Sequence, residues 1–399
     1  MATISSRRAV GADGDRIWTA RTVGDVEALR PDWDRLLADV VNADLDNLLA
    51  LVRTSNAPVR PHVLVAERGG TPTALLVGRL ETVRLHCDVG YKQLHLPALR
   101  AITVAYGGVL GDPPDAVLEE FLGSLRESLA SGEADVVAFR ELRVGSPLHR
   151  LVGQATGVLR SRGSRRSVHR ELRLPDSPEA FLSSLSKGTR DSVKRYRRKL
   201  ERELGDRLAV RIYNSPDEVD EVVAALDAVA ARSWQRGIGS GFRDDESHRD
   251  QTLLALRRGW FRACVVSVDG EPIAFWHGIG LGGRLISGIP GFDPAYAELR
   301  AGTYALLRLV ESLTADPAFS VLDFGFGDAE YKRRFGTASW EEESLELFAR
   351  RPKALAVGLL RSGIRTTNDV ARSLLGKAGV AGSVRSAWRR RLGSPRRDA

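Results

Sequence analysis

Hydrophobic residues follow two patterns along the first part of this chain. Short apolar runs predict four strands, at His62–Ala66, Ala74–Leu80, Ala101–Tyr106 and Asp135–Phe139. Apolar residues at helical spacing occur over Val26–Leu51 and over Pro113–Leu129. The alternation of the two patterns predicts a mixed region of helices and strands, of either the α/β or the α+β class.

The second part of the chain shows the same two patterns. Helices are predicted at Glu179–Leu204, Pro216–Ala231, Thr303–Leu313 and Asp328–Phe335. Strands are predicted at Ala209–Tyr213, Phe261–Val268, Pro272–Ile279, Arg284–Gly288, Ser320–Phe324 and Ser344–Phe348. Between the second and third of these strands stands Asp269-Gly270, a strong signal for a tight hairpin.

The two parts align as a weak internal repeat. Val63–Leu80 matches Ala263–Ile279, and Pro113–Phe139 matches Thr303–Phe324. A duplicated domain of ordinary size explains this match. The predicted organisation is a disordered N-terminus (1–15), an N-terminal domain (16–165), a second domain (166–352) and a basic tail (353–399), with the junction near residues 159–168.

The composition is that of a globular protein. Hydrophobic residues make up 43% and charged residues 28%, which argues against fibrous, largely disordered and polytopic membrane proteins. No run approaches the roughly 18 apolar residues of a spanning helix, and no apolar segment follows the N-terminal arginines. Cys87 and Cys264 are predicted to be buried thiols in a reducing compartment. These features predict a cytoplasmic protein.

The net charge of +8 is concentrated in the tail. Residues 350–399 hold 13 Lys or Arg and 2 Asp, a balance of +11, which leaves −3 for the rest of the chain. Specific binding of nucleic acid is therefore not predicted. Within the tail, apolar residues recur every four positions, at Val380, Val384, Trp388 and Leu392. Both a basic amphipathic segment on the inner face of an anionic membrane and a solvated disordered tail fit this pattern.

The run from Gly288 to Gly336 carries a family resemblance. It contains Arg300-Ala301-Gly302-Thr303 at a helix start, then Asp323-Phe-Gly-Phe-Gly-Asp328, and then Tyr331-Lys332. This run resembles the Gcn5-related N-acetyltransferase (GNAT) superfamily, and more narrowly the tandem CelD/BcsL-type proteins, relatives of the FemAB aminoacyltransferases. The resemblance is best over residues 180–350. It implies an α+β fold of two tandem acyl-CoA N-acyltransferase (GNAT-like) domains, with mixed sheets flanked by helices and a degenerate N-terminal copy.

The resemblance implies a site for acetyl-CoA or another acyl-CoA at the helix start. In the superfamily this loop holds the CoA pyrophosphate, which places Arg300, Gly302 and Thr303 at the cofactor. A glycine at a helix N-terminus offers free backbone N–H groups, and the helix dipole attracts an anion. Arg300 adds a charge-assisted contact. An ordinary helix start is the alternative.

Two residues after this helix are predicted to be catalytic. Tyr331 resembles the tyrosine that protonates the departing CoA thiolate, and a phenol with a pKa of about 10 suits that role. Asp328 is the candidate general base for the incoming amine, and it also fits the position of a helix N-cap. A half-buried structural tyrosine remains the alternative for Tyr331.

Four residues are predicted to bind the acceptor. Lys187 and Arg190 lie on one face of a basic helix, together with Lys194 and Arg197. Lys332 is a candidate anion contact, and Asp293 lies in the turn before the cofactor helix. A charged solvated surface is the alternative for the lysines and arginines. His277 lies on an apolar strand and is interpreted as a core residue, and no metal site is predicted from the spacing of the seven histidines.

The resemblance implies transfer of an acyl group to an amine. The implied acceptor is an amino sugar or another precursor of the cell envelope or of an exopolysaccharide. Two alternatives stay open. The first is a FemAB-like aminoacyltransferase that uses aminoacyl-tRNA, and the second is a membrane-associated scaffold without catalytic activity.

Overall fold

The computed structural model describes residues 16–37, 41–55, 57–89, 92–154, 166–233, 236 and 241–377. The predicted N-terminus (1–15), most of the predicted junction and the tail from residue 378 lie outside the described residues. The chain divides into two compact units. Among the described residues, those up to Ser167 together with 340–377 form the first unit, and those within Val168–Ser339 form the second.

The described residues contain sixteen strands and twelve α-helices. The strands are β1 (Arg16–Ala20), β2 (Arg60–Pro61), β3 (Val63–Arg68), β4 (Thr71–Val83), β5 (His86–Val89), β6 (Lys92–His95), β7 (Leu99–Leu110), β8 (Val136–Arg143), β9 (Arg166–Arg173), β10 (Leu208–Tyr213), β11 (Phe261–Val268), β12 (Glu271–Leu281), β13 (Arg284–Ser287), β14 (Gly291–Phe292), β15 (Val321–Phe326) and β16 (Ala338–Phe348). The helices are α1 (Val23–Ala28), α2 (Arg30–Leu36), α3 (Leu45–Thr54), α4 (Asp115–Ser131), α5 (Pro147–Gln154), α6 (Pro178–Ser184), α7 (Lys187–Leu204), α8 (Val219–Arg232), α9 (Glu246–Arg257), α10 (Ala301–Thr314), α11 (Glu330–Phe335) and α12 (Pro352–Lys377).

The two units repeat one sheet topology. In the first unit the strands run in the order β1-β3-β4-β7-β8-β16, and in the second they run β10-β11-β12-β13-β15-β9. Within each unit one pair is parallel, β7 with β8 and β13 with β15, and the other pairs on this path are antiparallel. A helix, α4 or α10, connects each parallel pair. The α+β class and the duplicated domain that the sequence predicts are confirmed.

The strand that closes the first sheet comes from beyond the second unit in the chain. β16 pairs antiparallel with β8, from Glu342 opposite Arg143 to Phe348 opposite Val136. Leu345 and Phe348 are buried in the core of the first unit. The sequence-based division places these residues in the second domain, because consecutive elements usually pack together. The contacts instead group Trp340 and the following residues with the first unit.

Each sheet has a hydrophobic core on both faces. In the first unit, one core contains Phe121 of α4 and the other contains Trp33 of α2. In the second unit, Trp276 of β12 belongs to the core beneath α10, and its neighbour Phe275 belongs to the core beneath α8 and α9. Successive strand residues point to opposite faces, so β12 contributes to both cores.

Two predicted helices are divided in the structure. The region Val26–Leu51 forms α1, α2, a short 3₁₀ turn and α3, and Trp33 Nε1 donates to the carbonyl of Ala43 at 2.9 Å. The region Glu179–Leu204 divides at Ser186, whose hydroxyl accepts from the backbone N–H of Thr189 and so caps α7. The spacing of apolar residues continues across both breaks, and for that reason it does not reveal them.

The predicted hairpin is confirmed. β11 and β12 pair antiparallel, and Asp269 and Gly270 both have positive φ, 52° and 83°. A tight turn that matches the twist of its strands requires this conformation. None of the helices in the described ranges is long and apolar enough to cross a membrane.

Candidate functional site

The parallel strands β13 and β15 pair over a short stretch and then separate. Their last aligned residues are Ile286 and Asp323. Beyond this point β13 stays with β12, where the N–H of Gly288 donates to the carbonyl of His277 at 2.9 Å. β15 instead continues along β9, with Gly325 opposite Arg170. The strand pair therefore opens at its carboxyl end, inside the second unit.

A cleft of about 310 Å³ lies next to this opening. Its walls include Trp276 from β12, the segment Pro290–Phe292, the start of α10 and Tyr331 from α11. Four residues that the sequence assigns to the cofactor or to catalysis line it together: Arg300, Gly302, Thr303 and Tyr331. The structure thus brings these predicted residues into one site, although they span 32 positions of the sequence (331 − 300 + 1).

The first residues of α10, among them Gly302, line the cleft. No side chain among the described residues caps this helix end, and its first turn contains no acidic residue. The first N–H groups of a helix lack partners within the helix, so they remain available to an anion. A Cβ atom on Gly302 would stand 3.3 Å from the ring of Phe292, which is tighter than normal packing. The carbonyl of Gly302 accepts from Trp276 Nε1 at 2.8 Å, which fixes the backbone.

Arg300 adds positive charge at the edge of the cleft. It is the N-cap of α10 and has left-handed backbone angles, φ 56° and ψ 39°. Its guanidinium lies 5.4 Å from the ring centre of Tyr196 on α7, and Arg195 covers the same ring at 5.1 Å. The hydrogen bond and charge of Arg300, followed by those of Arg195, lower the pKa of Tyr196. No carboxylate forms an ion pair with Arg300 in the part of the chain that the structure describes.

Tyr331 lies in an aromatic setting at the cleft. Its ring meets Trp276 edge to face at 5.1 Å and Phe324 at 5.8 Å. Burial raises the pKa of the Tyr331 phenol to about 12. The hydroxyl is therefore protonated at neutral pH and can donate a hydrogen bond to an anion in the cleft, and burial makes it a weaker acid than an ordinary phenol.

Asp328 does not line the cleft. Its carboxylate accepts from Arg170 Nε at 3.1 Å and from a terminal nitrogen of Arg333 at 2.7 Å. These partners, Arg333 first, lower the pKa of Asp328, which makes it a weak base. It is not a helix cap either, because the N-cap of α11 is Ala329. The described contacts thus favour an ion-pairing role for Asp328.

Lys332 is buried rather than exposed to a ligand. Its Nζ donates to the carbonyl of Phe326 at 2.6 Å and to that of Gly325 at 3.3 Å. Burial lowers the pKa of Lys332 to about 8, and the nearby charge of Asp323 opposes this shift. In place of the predicted substrate contact or a solvated surface, the structure shows a lysine that holds the turn between β15 and α11. The sequence does not indicate that this side chain points inward.

A buried polar network lies behind that turn. Asp323 accepts from the N–H of Gly325 at 2.7 Å and contacts His169 Nε2 at 2.6 Å. Arg284 bridges Glu171 at 2.7 Å and Asp323 at 3.3 Å. Sequence analysis missed His169, Glu171 and Arg284. The available signal was the presence of polar residues at alternate positions of β9, because such residues share one face of a strand.

The remaining predicted acceptor residues lie outside the cleft lining. Lys187 is exposed at the start of α7, and Arg190 donates to the carbonyl of Ser183 at 3.2 Å. Arg197, on the predicted basic face, is already paired with Glu201 and Glu311. Asp293 accepts from the N–H of Ala295 and pairs with Arg232 at 2.8 Å. In place of the predicted acceptor contact, Asp293 has two structural partners.

Comparison with known proteins agrees with this geometry. Residues 187–333 match the family model of the acetyltransferase (GNAT) domain. No curated protein matches the chain in sequence. The structure resembles that of FemX, with 10% identity, a TM-score of 0.56 and coverage of 82% of this chain and 98% of FemX. It also resembles a tandem GNAT protein from the clavulanic acid biosynthesis pathway, with 13% identity, a TM-score of 0.51 and coverage of 84% and 99%.

The similarity to solved structures supports the fold only. The match to the family model is the evidence for the class of reaction. The matched range begins with α7 and ends in α11, so it contains the whole of α10 and the opening between β13 and β15. The match confirms the predicted acyltransferase class and implies the use of an acyl-CoA. Residues 187–333 are thus similar in sequence to the acetyltransferase (GNAT) domain.

Proposed function

We propose that this protein transfers an acyl group, most simply acetyl from acetyl-CoA, to an amine, and that the acyl-CoA lies in the cleft at the start of α10. One observation carries the proposal: an uncapped helix N-terminus, a glycine whose Cβ would crowd the wall, and the hydroxyl-bearing Tyr331 line the same cleft. Such a helix end suits the pyrophosphate of a nucleotide-type cofactor.

The chain's own residues then have distinct roles. The backbone of Gly302 and Thr303 and the guanidinium of Arg300 hold the diphosphate. The reaction forms a bond between the acceptor nitrogen and the acyl carbon, breaks the carbon–sulfur bond, and releases a thiolate while the nitrogen loses a proton. Tyr331 supplies the proton that the thiolate needs. The proton from the nitrogen passes to water rather than to Asp328, whose charge is held by two arginines, and water returns a proton to Tyr331.

The equivalent helix start in the first unit is less suited to bind an anion. The equivalent helix, α4, begins after Pro113 and Pro114 and has Asp115 in its first turn. An acidic first turn repels an anion, in contrast to the start of α10 with Arg300. We therefore propose that the second unit binds the acyl-CoA and that the N-terminal copy is degenerate. The CelD/BcsL subtype and an acceptor from envelope or exopolysaccharide metabolism remain part of this proposal on the strength of the sequence resemblance alone.

Calorimetry with acetyl-CoA tests the proposal. We expect micromolar binding by the wild type and at least a hundredfold loss in Gly302→Glu, because the new carboxylate occupies the anion site. Gly188→Glu is the matched control, since Gly188 has the same place in the first turn of α7 and a Cβ there meets no neighbour. Equal binding by Gly302→Glu and the wild type would refute the location. No binding of any acyl-CoA by the wild type would refute the donor.

Aminoacyl transfer from tRNA is the second candidate. It is favoured by the exposed Lys187 and Lys194 on α7 and by the fold shared with FemX. RNA recognition usually adds exposed aromatic surfaces, and here Tyr196 is already covered by Arg195 and Arg300. The third candidate, a membrane scaffold, predicts that Tyr331→Phe leaves the cellular role intact. A gel-shift assay with aminoacyl-tRNA, using Lys187→Glu with Lys194→Glu as the variant, separates the second candidate from the first.

A further inference from the structure

Helix α12 has one face in the core of the first unit and another face that is exposed. Ala354 and Val357 are buried in that core, and Ile364 packs against it. Leu359 and Leu360 are instead accessible to solvent over 64% and 49% of their surface. Leu359 is the most exposed large hydrophobic side chain among the described residues. The helix thus buries one apolar face and presents a second.

The two exposed leucines belong to a longer face of the helix. Ala356, Gly363 and Thr367 are exposed as well, and their positions place them on the same side of α12 as the leucines. The sequence continues this spacing with Val370 and Leu374. The face contains small and apolar residues and no charged one. A contiguous exposed apolar surface of this kind indicates an interaction site.

Positive charge surrounds this face. Lys353 is exposed and lies three positions before Ala356, on the same side of the helix. Residues 350–399 hold 13 Lys or Arg and only 2 Asp. Of these cations, Arg361 is paired with Glu346 and adds no free charge. The matching partner therefore offers an apolar layer together with negative charge.

A lipid surface matches these properties better than a second copy of this chain does. Association of two copies through this face would bring two basic segments together, and like charges oppose that contact. An anionic membrane has an apolar interior for the leucines and phosphate groups for the lysines and arginines. Leucines on one side of a helix with cations around them are typical of helices that lie in the membrane interface.

We propose that α12 docks the first unit on an anionic membrane surface. Leu359 and Leu360 enter the boundary between headgroups and acyl chains, and the basic residues of 350–399 contact lipid phosphates. Of the two interpretations of the basic tail that the sequence leaves open, this proposal takes the membrane-bound one. It does not rest on the proposed acyl transfer, because α12 belongs to the first unit and the acyl-CoA cleft to the second.

Co-sedimentation of the full chain with lipid vesicles tests the proposal. The vesicles contain phosphatidylcholine alone or equal parts of phosphatidylcholine and phosphatidylglycerol. We expect the wild type to bind the anionic vesicles at least tenfold more tightly than the neutral ones. Replacing both leucines, Leu359→Gln with Leu360→Gln, should lower the affinity for anionic vesicles at least tenfold, because apolar burial is lost. Val23→Gln is the matched control, since Val23 is an exposed apolar residue on α1 of the same unit.

A chain that ends at Lys377 separates the contribution of charge from that of the leucines. It keeps α12 but lacks six arginines of the basic tail. We expect it to lose at least tenfold in affinity for anionic vesicles while its weak binding to neutral vesicles stays the same. An unchanged affinity for anionic vesicles would overturn the contact between the tail and lipid phosphates.

Three further results would contradict the proposal. Equal binding of the wild type to both kinds of vesicle, or binding to neither, would overturn the membrane partner, and this comparison needs no variant to fold. Unchanged binding by the double glutamine variant would overturn the role of the leucines. If analytical ultracentrifugation shows a wild-type dimer that the double variant does not form, the exposed face is a subunit interface and the membrane proposal fails. Acetyl-CoA binding in the absence of vesicles is measured separately, so it fails or succeeds independently of these results.

Discussion

Tyr331 owes its chemical state to the side chains around it. Trp276 and Phe324 meet its ring edge to face, and the resulting burial raises the pKa of its phenol to about 12. A phenol in such a setting stays protonated throughout the physiological range and acts as a proton donor only toward a strong base. The sequence indicates Tyr331 by its spacing from Gly302, and its surroundings keep the hydroxyl protonated at neutral pH while making it a weaker acid than an ordinary phenol.

We expect Tyr331→Phe to lower kcat for acyl transfer by about a hundredfold, in line with the usual contribution of one acid catalyst. The KM for acyl-CoA should change by less than about threefold, because the aromatic packing is kept. Steady-state kinetics with Tyr213→Phe as the control provides the test, since the hydroxyl of Tyr213 is bound to Glu221 elsewhere in the unit. An unchanged kcat in Tyr331→Phe would remove the tyrosine from the mechanism.

The lowered pKa of the buried Lys332 predicts how the free energy of unfolding depends on pH. Its folded-state pKa is lowered to about 8, below the ordinary value of 10.5, so the unfolded chain binds more protons between these two values. The free energy of unfolding therefore rises with pH from about 8 to 10.5, by up to roughly 3 kcal/mol from this group. Below about pH 8 this contribution is absent.

Urea unfolding of the wild type and Lys332→Met at pH 7, 8, 9 and 10 measures this contribution. The difference in unfolding free energy between the two proteins should grow with pH over this range. Lys199→Met is the control, because Lys199 lies on the surface of α7 and forms a surface pair with Glu203. A difference that stays constant from pH 7 to pH 10 would contradict the buried position of Lys332.

At the scale of elements, the turn between β15 and α11 shapes the site. Gly325 and Gly327 both have positive φ, 67° and 95°, and Lys332 holds the carbonyls of Gly325 and Phe326. Residues with a Cβ atom avoid this conformation, so the two glycines let the chain reverse and return as α11 with Tyr331. The position of the tyrosine depends on this turn.

Gly327→Ala is expected to reduce the free energy of unfolding by about 1 to 2 kcal/mol, because φ of 95° strains any residue with a side chain. Gly123→Ala is the control: Gly123 lies inside α4, a Cβ there meets no neighbour, and the change should stabilise by about 0.5 to 1 kcal/mol. Chemical denaturation gives both values. Equal effects of the two substitutions would show that the turn is unstrained.

At the scale of the whole molecule, the end of the chain completes the first unit. β16 pairs with β8, and Leu345, Phe348 and Val357 are buried in the same core as Phe121 of α4. A buried ion pair between Glu346 and Arg361 ties α12 to β16. The first sheet is therefore complete only with a strand that follows the second unit in the sequence.

This arrangement predicts different results for two truncations. A chain that ends at Lys377 keeps every described element and should show a thermal unfolding midpoint within about 2 °C of that of the full chain. A chain that ends at Thr337 lacks β16 and α12, and we expect the first unit to lose its cooperative unfolding transition, since deleting large buried side chains costs several kcal/mol each. Calorimetry measures both. If the first unit in the shorter chain kept its cooperative unfolding transition, the conclusion that β16 completes the first sheet would be refuted.

By itself, the sequence determined the local elements and the kind of chemistry. These features depend on residues that are close together in the sequence. They include the alternating and helical spacing of apolar residues, the Asp269-Gly270 turn and the motif at the start of α10, and the internal repeat follows from the order of such elements. Residues far apart in sequence make the contacts that only the tertiary structure decided. These contacts pair β16 with β8, turn Lys332 inward, and hold Asp328 between Arg170 and Arg333. Spacing along a chain shows which residues share a face, but which side chain meets that face depends on how distant segments pack.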